Sequence, residues 1–538
     1  MLKRLPILLA LVFTVALPFL FRQQRTVFTK ADETLVIITP HNEALRSEFG
    51  RGFEDWYKAK TGKTVNVDWR VIGGTSEIAR FLDGEYDSAF RLYWTKVLNR
   101  AWSAEIQAGY KSAKLPKDAS SETKEAREAF LRSDVSCGLD LFFGGGTPDF
   151  IKQAEAGRLV DSGIISRHPD WFEDAVIPQE FSGERYWDTR GLWFGAVLSH
   201  YGIVYNLDSL KRLGVTNELR QWTDLTDPRL VGEIALADPT KSSSIAKAFE
   251  NIIQQKMQQR LTMLRAAAPD ADSGELEPRA VAEGWIDGLR LMQLIGANSR
   301  YFTDTSQKPP IDVAQGNSAA GICIDFYGRQ QEDAIERRAE KDRLGFTAPL
   351  GGTVNSVDPV ALFRGAPNRG VALAFMDYVL SMDGQKVWNF RPGTPGGPTH
   401  FALRRLPVRR DFYEKAEYKP YRSDPDANPY DVTNQLIYRP TWTGTIFREM
   451  GFIIRIICLD THEELTRAWR AIIAAGMPAD ALNVLQDVSL VDLAAAKGRI
   501  KQAMASKDRT AELRLARELG EAFRKQYRRA EELAKAKR

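Results

Sequence analysis

Five loops of this sequence carry small and hydroxylated residues that suit the recognition of a negatively charged group. Each loop follows an apolar, strand-like run and precedes a segment with the pattern of a helix. Backbone N–H groups at the start of a helix are unpaired and lie at the positive end of the helix dipole, so they bind anions. Ordinary helix capping explains any one loop, but five together favour a binding site. The candidate ligand-binding residues are His41 and Asn42; Gly74 and Thr75; Gly145, Gly146 and Thr147; Ser242, Ser243 and Ser244; Asp325 and Tyr327.

The elements that position these loops alternate between strands and helices. The apolar run LVIIT predicts a buried strand, residues 43–60 have apolar residues at helical spacing, and VNVDWRVI predicts the next strand. This alternation predicts an α/β fold with a doubly wound, mainly parallel sheet. In such a sheet, ligands bind beyond the carboxyl ends of the strands. We therefore expect the five loops to meet at one edge.

Sequence motifs of the common enzymes do not match this chain. The stretch LDLFFGGGTPDF (139–150) places glycines between a strand and a helix, but it has neither the GxxxxGK[ST] nor the GxGxxG spacing of a nucleotide loop. No GxSxG elbow is present, and THEELT (461–466) lacks the second histidine of a zinc protease. Of the five histidines, only His41 follows a strand directly. The sequence favours a binding protein over an enzyme.

Composition and the N-terminus indicate export. With 74 basic against 70 acidic residues, the chain gives no reason to expect a nucleic-acid partner. Lys3 and Arg4 precede an apolar run over residues 5–21, which predicts a signal peptide or an N-terminal membrane anchor in residues 1–24. We expect the rest of the chain to be exported. The three cysteines fit no metal motif and are predicted to be buried thiols, with one disulfide left open.

The order of several blocks resembles the periplasmic, or extracellular, solute-binding proteins of ABC importers (family 1), in particular their ferric-iron-binding group. The resemblance covers about residues 35–398 and is interrupted by an insertion. Its blocks, in chain order, are ITPHNEALRSEFGRGFEDWYKAKTG, LDLFFGGGTPDFIKQAEAGRLVDSG, GIVYNLDSLKRLGV, WTDLTDPRLVGEIALADPTKSSS and VALAFMDYVLSMDGQKVW.

The resemblance implies a two-lobe periplasmic binding protein fold of type II, in which two α/β lobes close on a ligand like a hinged clamp. Lobe one is then 34–197 and 351–398, with a helical insertion at about 86–134, and lobe two is 198–350. The crossings between lobes fall near 197–205 and 352–362. Residues 399–538 form a C-terminal, largely helical extension whose lobe is left open. The family implies a monomer without enzymatic activity, whose partners are a small-molecule or ion solute and an ABC permease of the inner membrane.

The solute stays open between two classes. In iron-binding relatives a histidine, a glutamate and two adjacent tyrosines hold Fe(III), with an anion at a serine-rich helix start. His41 and Ser242–Ser244 match, and the glutamate corresponds to either Glu77 or Glu85. Phe326 replaces the first tyrosine and leaves Tyr327 alone. The cargo is therefore either a metal ion with an anion, held by His41 and Tyr327, or an organic or phosphorylated anion to which Asp325 offers a hydrogen-bond acceptor. No resident cofactor is expected. The alternative function is a membrane-anchored ligand sensor or scaffold.

Overall fold

The computed structural model describes residues 31–336, 343–431, 436–505 and 509–537. The expected signal peptide or anchor, residues 1–24, lies outside the described residues. Among the helices within those ranges, none combines the length and the apolar character needed to cross a membrane.

Short strands build two main sheets and a hairpin. In chain order they are β1 (Glu33–Ile38), β2 (Val65–Arg70), β3 (Leu141–Phe143), β4 (Glu180–Phe181), β5 (Glu184–Arg185), β6 (Phe194–Ser199), β7 (Tyr201–Asn206), β8 (Ile234–Ala237), β9 (Ser299–Thr303), β10 (Ala320–Ile324), β11 (Leu344–Thr347), β12 (Ser356–Leu362) and β13 (Leu406–Pro407).

Helices cover both sheets, and those near the C-terminus pack on sheet two, which is formed by β7 to β11. In chain order they are α1 (Glu43–Thr61), α2 (Thr75–Leu92), α3 (Ala104–Tyr110), α4 (Ser121–Arg132), α5 (Thr147–Glu155), α6 (Ile164–Arg167), α7 (Leu207–Arg212), α8 (Ser243–Ala267), α9 (Ser273–Asn298), α10 (Lys308–Ala314), α11 (Asp325–Glu336), α12 (Arg369–Leu380), α13 (Met382–Asn389), α14 (Asp411–Glu414), α15 (Pro440–Thr443), α16 (Phe447–Ile454), α17 (His462–Ala474), α18 (Ala479–Leu485), α19 (Leu493–Ala495), α20 (Lys501–Ala505) and α21 (Arg509–Lys535).

Both main sheets are mixed. Sheet one has the order β13-β6-β12-β3-β1-β2, in which β1 is parallel to β2 and β3 while β12 is antiparallel to β3 and β6. Sheet two has the order β11-β7-β10-β8-β9, in which β8 is parallel to β9 and β10 while β7 is antiparallel to β10 and β11. The expectation of a mainly parallel sheet is therefore wrong. The strands that the chain enters when it changes sheets, β7 and β12, run antiparallel to the parallel strands beside them, β10 and β3.

The chain changes sheets at two predicted places. Only His200 separates β6 in sheet one from β7 in sheet two, so the apolar stretch that reads as one strand in the sequence is two strands in different lobes. The chain returns from β11 in sheet two to β12 in sheet one through residues 348–355. The expected crossings near 197–205 and 352–362 overlap these two changes of sheet, and the α/β two-lobe fold is confirmed.

Each sheet has its own hydrophobic core. The helix α1 shows how the sequence builds the first one: Leu45, Phe49, Phe53 and Tyr57 recur at helical spacing and are buried against sheet one, and Gly62 ends the helix with a φ of 75°. The helices of the insertion add their aromatic residues to the same core.

The C-terminal extension divides between the two lobes. Residues 399–431 belong with sheet one, because β13 pairs with β6 and Val408 joins the first core. From Pro440 onward the helices share the core of sheet two, for example through Met450, Trp469 and Tyr527. The three cysteines are free and buried, as the sequence predicted.

Candidate functional site

A cleft of about 600 Å³ lies between the lobes, where loops from both sheets meet. Lobe one contributes the loops that follow β1, β2 and β3, and lobe two contributes those that follow β8, β9 and β10. This is the edge at which open α/β sheets bind ligands. The predicted residues that line the cleft are His41, Asn42, Gly74, Thr75, Gly145, Ser242, Ser243, Ser244 and Tyr327.

Three predicted residues do not line this cleft. Gly146 precedes α5, and the Thr147 side chain is buried behind it. Asp325 is fully buried and faces the first crossing: its Oδ1 accepts a hydrogen bond of 3.3 Å from the His200 backbone N–H, and its Oδ2 lies 3.6 Å from the His200 imidazole. The expectation that Asp325 binds a ligand in this cleft is therefore corrected, because the start of α11 turns its carboxylate toward the hinge.

Several lining residues were not identified from the sequence. Arg46 follows Asn42 by one helical turn, so helical spacing was a usable signal for it. Residues 304–307 follow β9 and belong to a sixth loop at the same edge. Asp358 lies inside β12 and reaches the cleft only because that strand enters sheet one from the cleft side. No motif marks Asp358.

Arg46 brings a positive charge to the lobe-one side of the cleft. Its Nε donates a hydrogen bond of 3.4 Å to the Asn42 carbonyl oxygen. The ion pairs found among the described residues do not include its guanidinium. The other lining cation, Lys241, pairs with Asp304 at 2.8 Å. Among the described residues, Arg46 is thus a cation that lines the cleft and forms no ion pair with a carboxylate.

A buried ion pair lies at the floor of the cleft. Arg405 is completely buried, its Nη1 is 2.7 Å from Asp358 Oδ2, and its guanidinium lies 4.2 Å from the centre of the Phe326 ring. Its other nitrogen, Nη2, donates to the Ser199 hydroxyl. Burial by itself raises the pKa of Asp358, but Arg405 and His41 outweigh it and hold that pKa below its usual value. Asp358 is therefore an ionised carboxylate already neutralised by an arginine.

His41 and Tyr327 face the cleft in their neutral forms. Burial is the main cause that lowers the pKa of His41; Arg405 and Arg46 act in the same direction, and Asp358, 3.5 Å from its Nε2, offsets part of the effect. Burial also raises the pKa of the Tyr327 phenol above its usual range. Neither ring nitrogen of His41 has a hydrogen-bond partner among the described residues. A buried polar group in this condition favours a partner supplied by the ligand or by water.

Direct hydrogen bonds join the two lobes across the cleft. Ser243, at the start of α8 in lobe two, lies 2.9 Å from the Thr75 hydroxyl and donates to Asp149 Oδ2 at 2.9 Å, both in lobe one. Burial raises the pKa of Asp149, although its hydrogen bonds to Ser243 and Thr75 lower it in part. The serine loop is therefore held against lobe one.

The cleft does not contain a preformed metal cluster within the described part of the chain. No group of three or more His, Cys, Asp or Glu side chains in those residues is arranged to hold a metal ion. His41 and Tyr327 share the cleft, but the nearest carboxylate to His41, that of Asp358, is paired with Arg405. A metal held by His41 and Tyr327 stays a prediction.

Gly144 gives the His41 ring its space, and Gly144→Ala is expected to displace it. The φ of Gly144 is 87°, and a Cβ there would lie 2.2 Å from His41 Cε1. Strain and overpacking together are expected to destabilise the protein by about 2–4 kcal/mol. Gly138→Ala is the matched control, because Gly138 has a φ of 73° but no heavy atom within 4 Å of the added Cβ. Urea unfolding of both variants measures the difference, and equal losses of stability would contradict the role given to the His41 contact.

Comparison with known proteins gives one family and a set of distant structures. Residues 139–404 match the family described as bacterial extracellular solute-binding protein. An uncharacterized protein of Haemophilus influenzae is 25% identical over 252 residues, which cover 46% of this chain and 60% of that protein. The match thus spans about three fifths of the relative's length.

Three solved structures are similar to this chain at low sequence identity. The periplasmic binding protein AfuA from Actinobacillus pleuropneumoniae, with exogenous fructose-6-phosphate bound, is 18% identical, with 82% of this chain and 98% of that chain covered and a TM-score of 0.45. The apo ferric ion-binding protein A of Pasteurella haemolytica is 11% identical, with 79% and 97% covered and a TM-score of 0.45. Iron-bound HitA from Pseudomonas aeruginosa is 14% identical, with 78% and 99% covered and a TM-score of 0.43. Residues 139–404, which are just under half of the chain, therefore match the bacterial extracellular solute-binding proteins, a family of non-enzymatic binding proteins of ABC-type transport.

Proposed function

We propose that this protein captures a small organic or phosphorylated anion between its lobes and delivers it to an ABC permease. The observation that carries the proposal is Arg46, which lines the cleft without an ion-pair partner among the described residues. A charged side chain in a partly enclosed, low-dielectric cleft gains more from an opposite charge than it does at the open surface. An anionic group of the solute is the partner that fits.

Helix starts on both sides of the cleft add to this preference. Gly74 precedes α2 without a side-chain cap, so the first N–H groups of that helix are open to a ligand. Ser242 and Ser243 open α8 from the opposite lobe, and Ser244 follows in its first turn. Helix starts that face each other across a cleft present N–H donors and positive dipole ends to one small ligand, and they favour an anion.

The protonation states in the cleft disfavour a metal ion as the cargo. Hard cations such as Fe(III) prefer anionic oxygen ligands. Tyr327 is a protonated phenol here and Asp358 is paired with Arg405, so a metal ion must displace a proton or an arginine to gain either oxygen. An organic anion needs neither change. His41, Tyr327 and Asp358 can then exchange hydrogen bonds with hydroxyl or amine groups of the solute.

The expected location of the protein and its delivery of the solute to a permease are inferred from the matched family. The family is extracellular or periplasmic. We infer that this chain acts in the periplasm as a monomer and meets its permease at the inner membrane. Delivery requires closure around the solute, which the interlobe bonds of Ser243 to Thr75 and Asp149 accompany. The cleft volume suits a small solute.

Thermal unfolding in the presence of candidate solutes tests the proposal. The set contains inorganic phosphate, sugar phosphates, di- and tricarboxylates, and ferric citrate, each at several concentrations. A ligand at 100 times its dissociation constant stabilises the folded state by about 2.7 kcal/mol, so a true solute raises the melting temperature with concentration. We expect stabilisation by a metal-free organic anion, followed up by calorimetric titration. Stabilisation by a ferric complex alone, with no response to any metal-free anion, would contradict the proposal.

A further inference from the structure

A third connection between the lobes lies outside the residues that match the family. Residues 399–431 pack on sheet one, whereas the helices from Pro440 onward pack on sheet two. The chain must therefore pass from lobe one to lobe two a third time between Asp431 and Pro440. Residues 436–439 of this passage are described, and they are hydrogen-bonded on both sides.

The described part of the connection is held by both lobes within four residues. The Leu436 N–H donates to the Thr353 carbonyl in the second crossing at 3.1 Å, and the Tyr438 N–H donates to the Ser182 carbonyl in the lobe-one hairpin at 2.8 Å. The Arg439 N–H then donates to Gln254 Oε1 on α8 of lobe two at 2.9 Å. If the lobes separate, this segment cannot move with one lobe without breaking its hydrogen bonds to the other.

A buried ionic network lies directly under this segment. Lys247 of α8 is buried, and its Nζ is 2.6 Å from Glu184 Oε1 and 2.9 Å from Glu250 Oε2. Glu184 belongs to the hairpin strand β5, and its neighbours Phe181 and Tyr186 pack in the core of lobe one. Lys247 and Glu250 belong to lobe two. The Tyr438 ring centre is 3.2 Å from Lys247 Nζ, and its hydroxyl donates to Glu250 Oε1 at 3.1 Å. One ion pair of the network therefore bridges the lobes.

The network acts on the helix that carries the cleft serines. Lys247 follows Ser243 by one turn of α8, so both lie on the same face of the helix near its start. Separating the lobes at this point moves Glu184 away from Lys247. Such a separation leaves charges without their partners in a poorly solvated place, which is unfavourable. The start of α8 is thereby bonded to lobe one at two places: through Ser243 at the cleft, and through Lys247 one helical turn later.

We propose that residues 436–439, the described part of the third connection, form with the Glu184–Lys247 ion pair beneath Tyr438 a tether that limits how far the cleft opens. Two crossings alone leave a clamp free to swing about its hinge. The third crossing lies beside the start of α8 and is bonded to the hairpin, to the second crossing and to α8. The tether depends on contacts within the protein, and it holds whatever solute the cleft binds.

Spin-label distances across the mouth of the cleft test the tether without any added solute. Ile72 in lobe one and Ile311 in lobe two are exposed. Ile72 lies between Val71 and Gly73, which line the cleft, and Ile311 is four residues after Gln307, which also lines it. Ile72→Cys and Ile311→Cys provide the labelling sites, because the three native cysteines are buried. Glu184→Gln removes the charge that bridges the lobes and leaves Lys247 paired with Glu250. We expect it to shift the distance distribution to longer values.

The controls separate the tether from a general loss of structure. Glu180→Gln removes an exposed carboxylate from the same hairpin, and we expect it to leave the distances unchanged. Tyr438→Phe removes only the hydroxyl bond to Glu250 and is expected to give a smaller shift in the same direction, even if Glu184→Gln folds poorly. Circular dichroism checks that each variant is folded. Wild-type distances in folded Glu184→Gln, or in Tyr438→Phe where Glu184→Gln does not fold, would overturn the tether.

Discussion

Replacing Arg46 by glutamine is expected to weaken binding of the solute by at least about 30-fold, since truncating one partner of a buried, hydrogen-bonded charge pair costs about 2–5 kcal/mol. Glutamine keeps a polar side chain of moderate length but removes the charge that faces the cleft. Most of the loss should appear as faster dissociation, because the lost contact is formed in the bound state. Calorimetric titration with the anion identified by thermal unfolding measures the change.

A matched variant on the same helix controls for a general effect on charge or folding. Arg51 is also half-buried on α1, but it does not line the cleft and pairs with Glu48 at 3.1 Å. We expect Arg51→Gln to keep the wild-type dissociation constant within about twofold, because Arg51 does not line the cleft and so does not contact the solute. Equal affinities in Arg46→Gln and the wild type would show that the anion is not held by this guanidinium.

Replacing Arg405 by methionine is expected to destabilise the protein by about 3–5 kcal/mol, because it removes one partner of a buried ion pair and leaves the other charge uncompensated. Asp358 loses the cation that keeps its pKa low, and the Ser199 hydroxyl loses its donor. The pKa of Asp358 should rise, and His41 becomes its nearest charged or polar partner. Urea unfolding in the absence of solute measures the loss.

The double variant Asp358→Asn with Arg405→Met distinguishes the loss of the ion pair from the loss of packing. With the carboxylate neutralised, no unpaired charge remains at the floor of the cleft, and a large part of the stability should return. Neighbouring substitutions of this kind are expected to be strongly non-additive. A double variant as unstable as the sum of the two single variants would contradict the assignment of Arg405 as the neutralising partner of Asp358.

The parts of the site that follow strands were predictable because their position depends on local pattern. The apolar run before His41, the helical spacing after it and the glycines before Thr75 each specify where a strand ends and a helix begins. Parallel strands then bring those ends to the same edge. The pattern therefore predicts that the loops of His41, Thr75, Gly145 and Ser243 meet at one edge, and in the structure all four residues line the cleft.

The ion pair at the floor of the cleft was not predictable in the same way. Asp358 lies within a strand and Arg405 follows a proline- and glycine-rich loop, and the two are separated by 46 residues in the chain. They meet because β12 and β13 both flank β6 in antiparallel pairing, which depends on the return of the chain from lobe two. For Asp325 the local pattern gives the wrong prediction. Its position after a strand predicts a residue that binds the solute, but its carboxylate accepts a hydrogen bond from the His200 backbone N–H at the first crossing.

The lobe to which the C-terminal extension packs also depends on tertiary contacts, which cannot be inferred from composition. Its helical periodicity was visible in the sequence, but the periodicity of an amphipathic helix does not say which core its apolar face joins. The structure assigns that face to sheet two, with Tyr527 of α21 donating a hydrogen bond of 2.9 Å to the Ile457 carbonyl. The split of the extension between the lobes creates the third connection.

Native mass spectrometry of the protein isolated from its own cell envelope, with metal analysis on the same sample, tests the central claim most directly. We predict a stoichiometric adduct with the mass of a small organic or phosphorylated anion, and no stoichiometric metal. The adduct should be lost in Arg46→Gln and retained in Arg51→Gln. Stoichiometric iron without an organic anion, abolished by His41→Ala and by Tyr327→Phe, would contradict the proposal and identify a metal ion as the cargo.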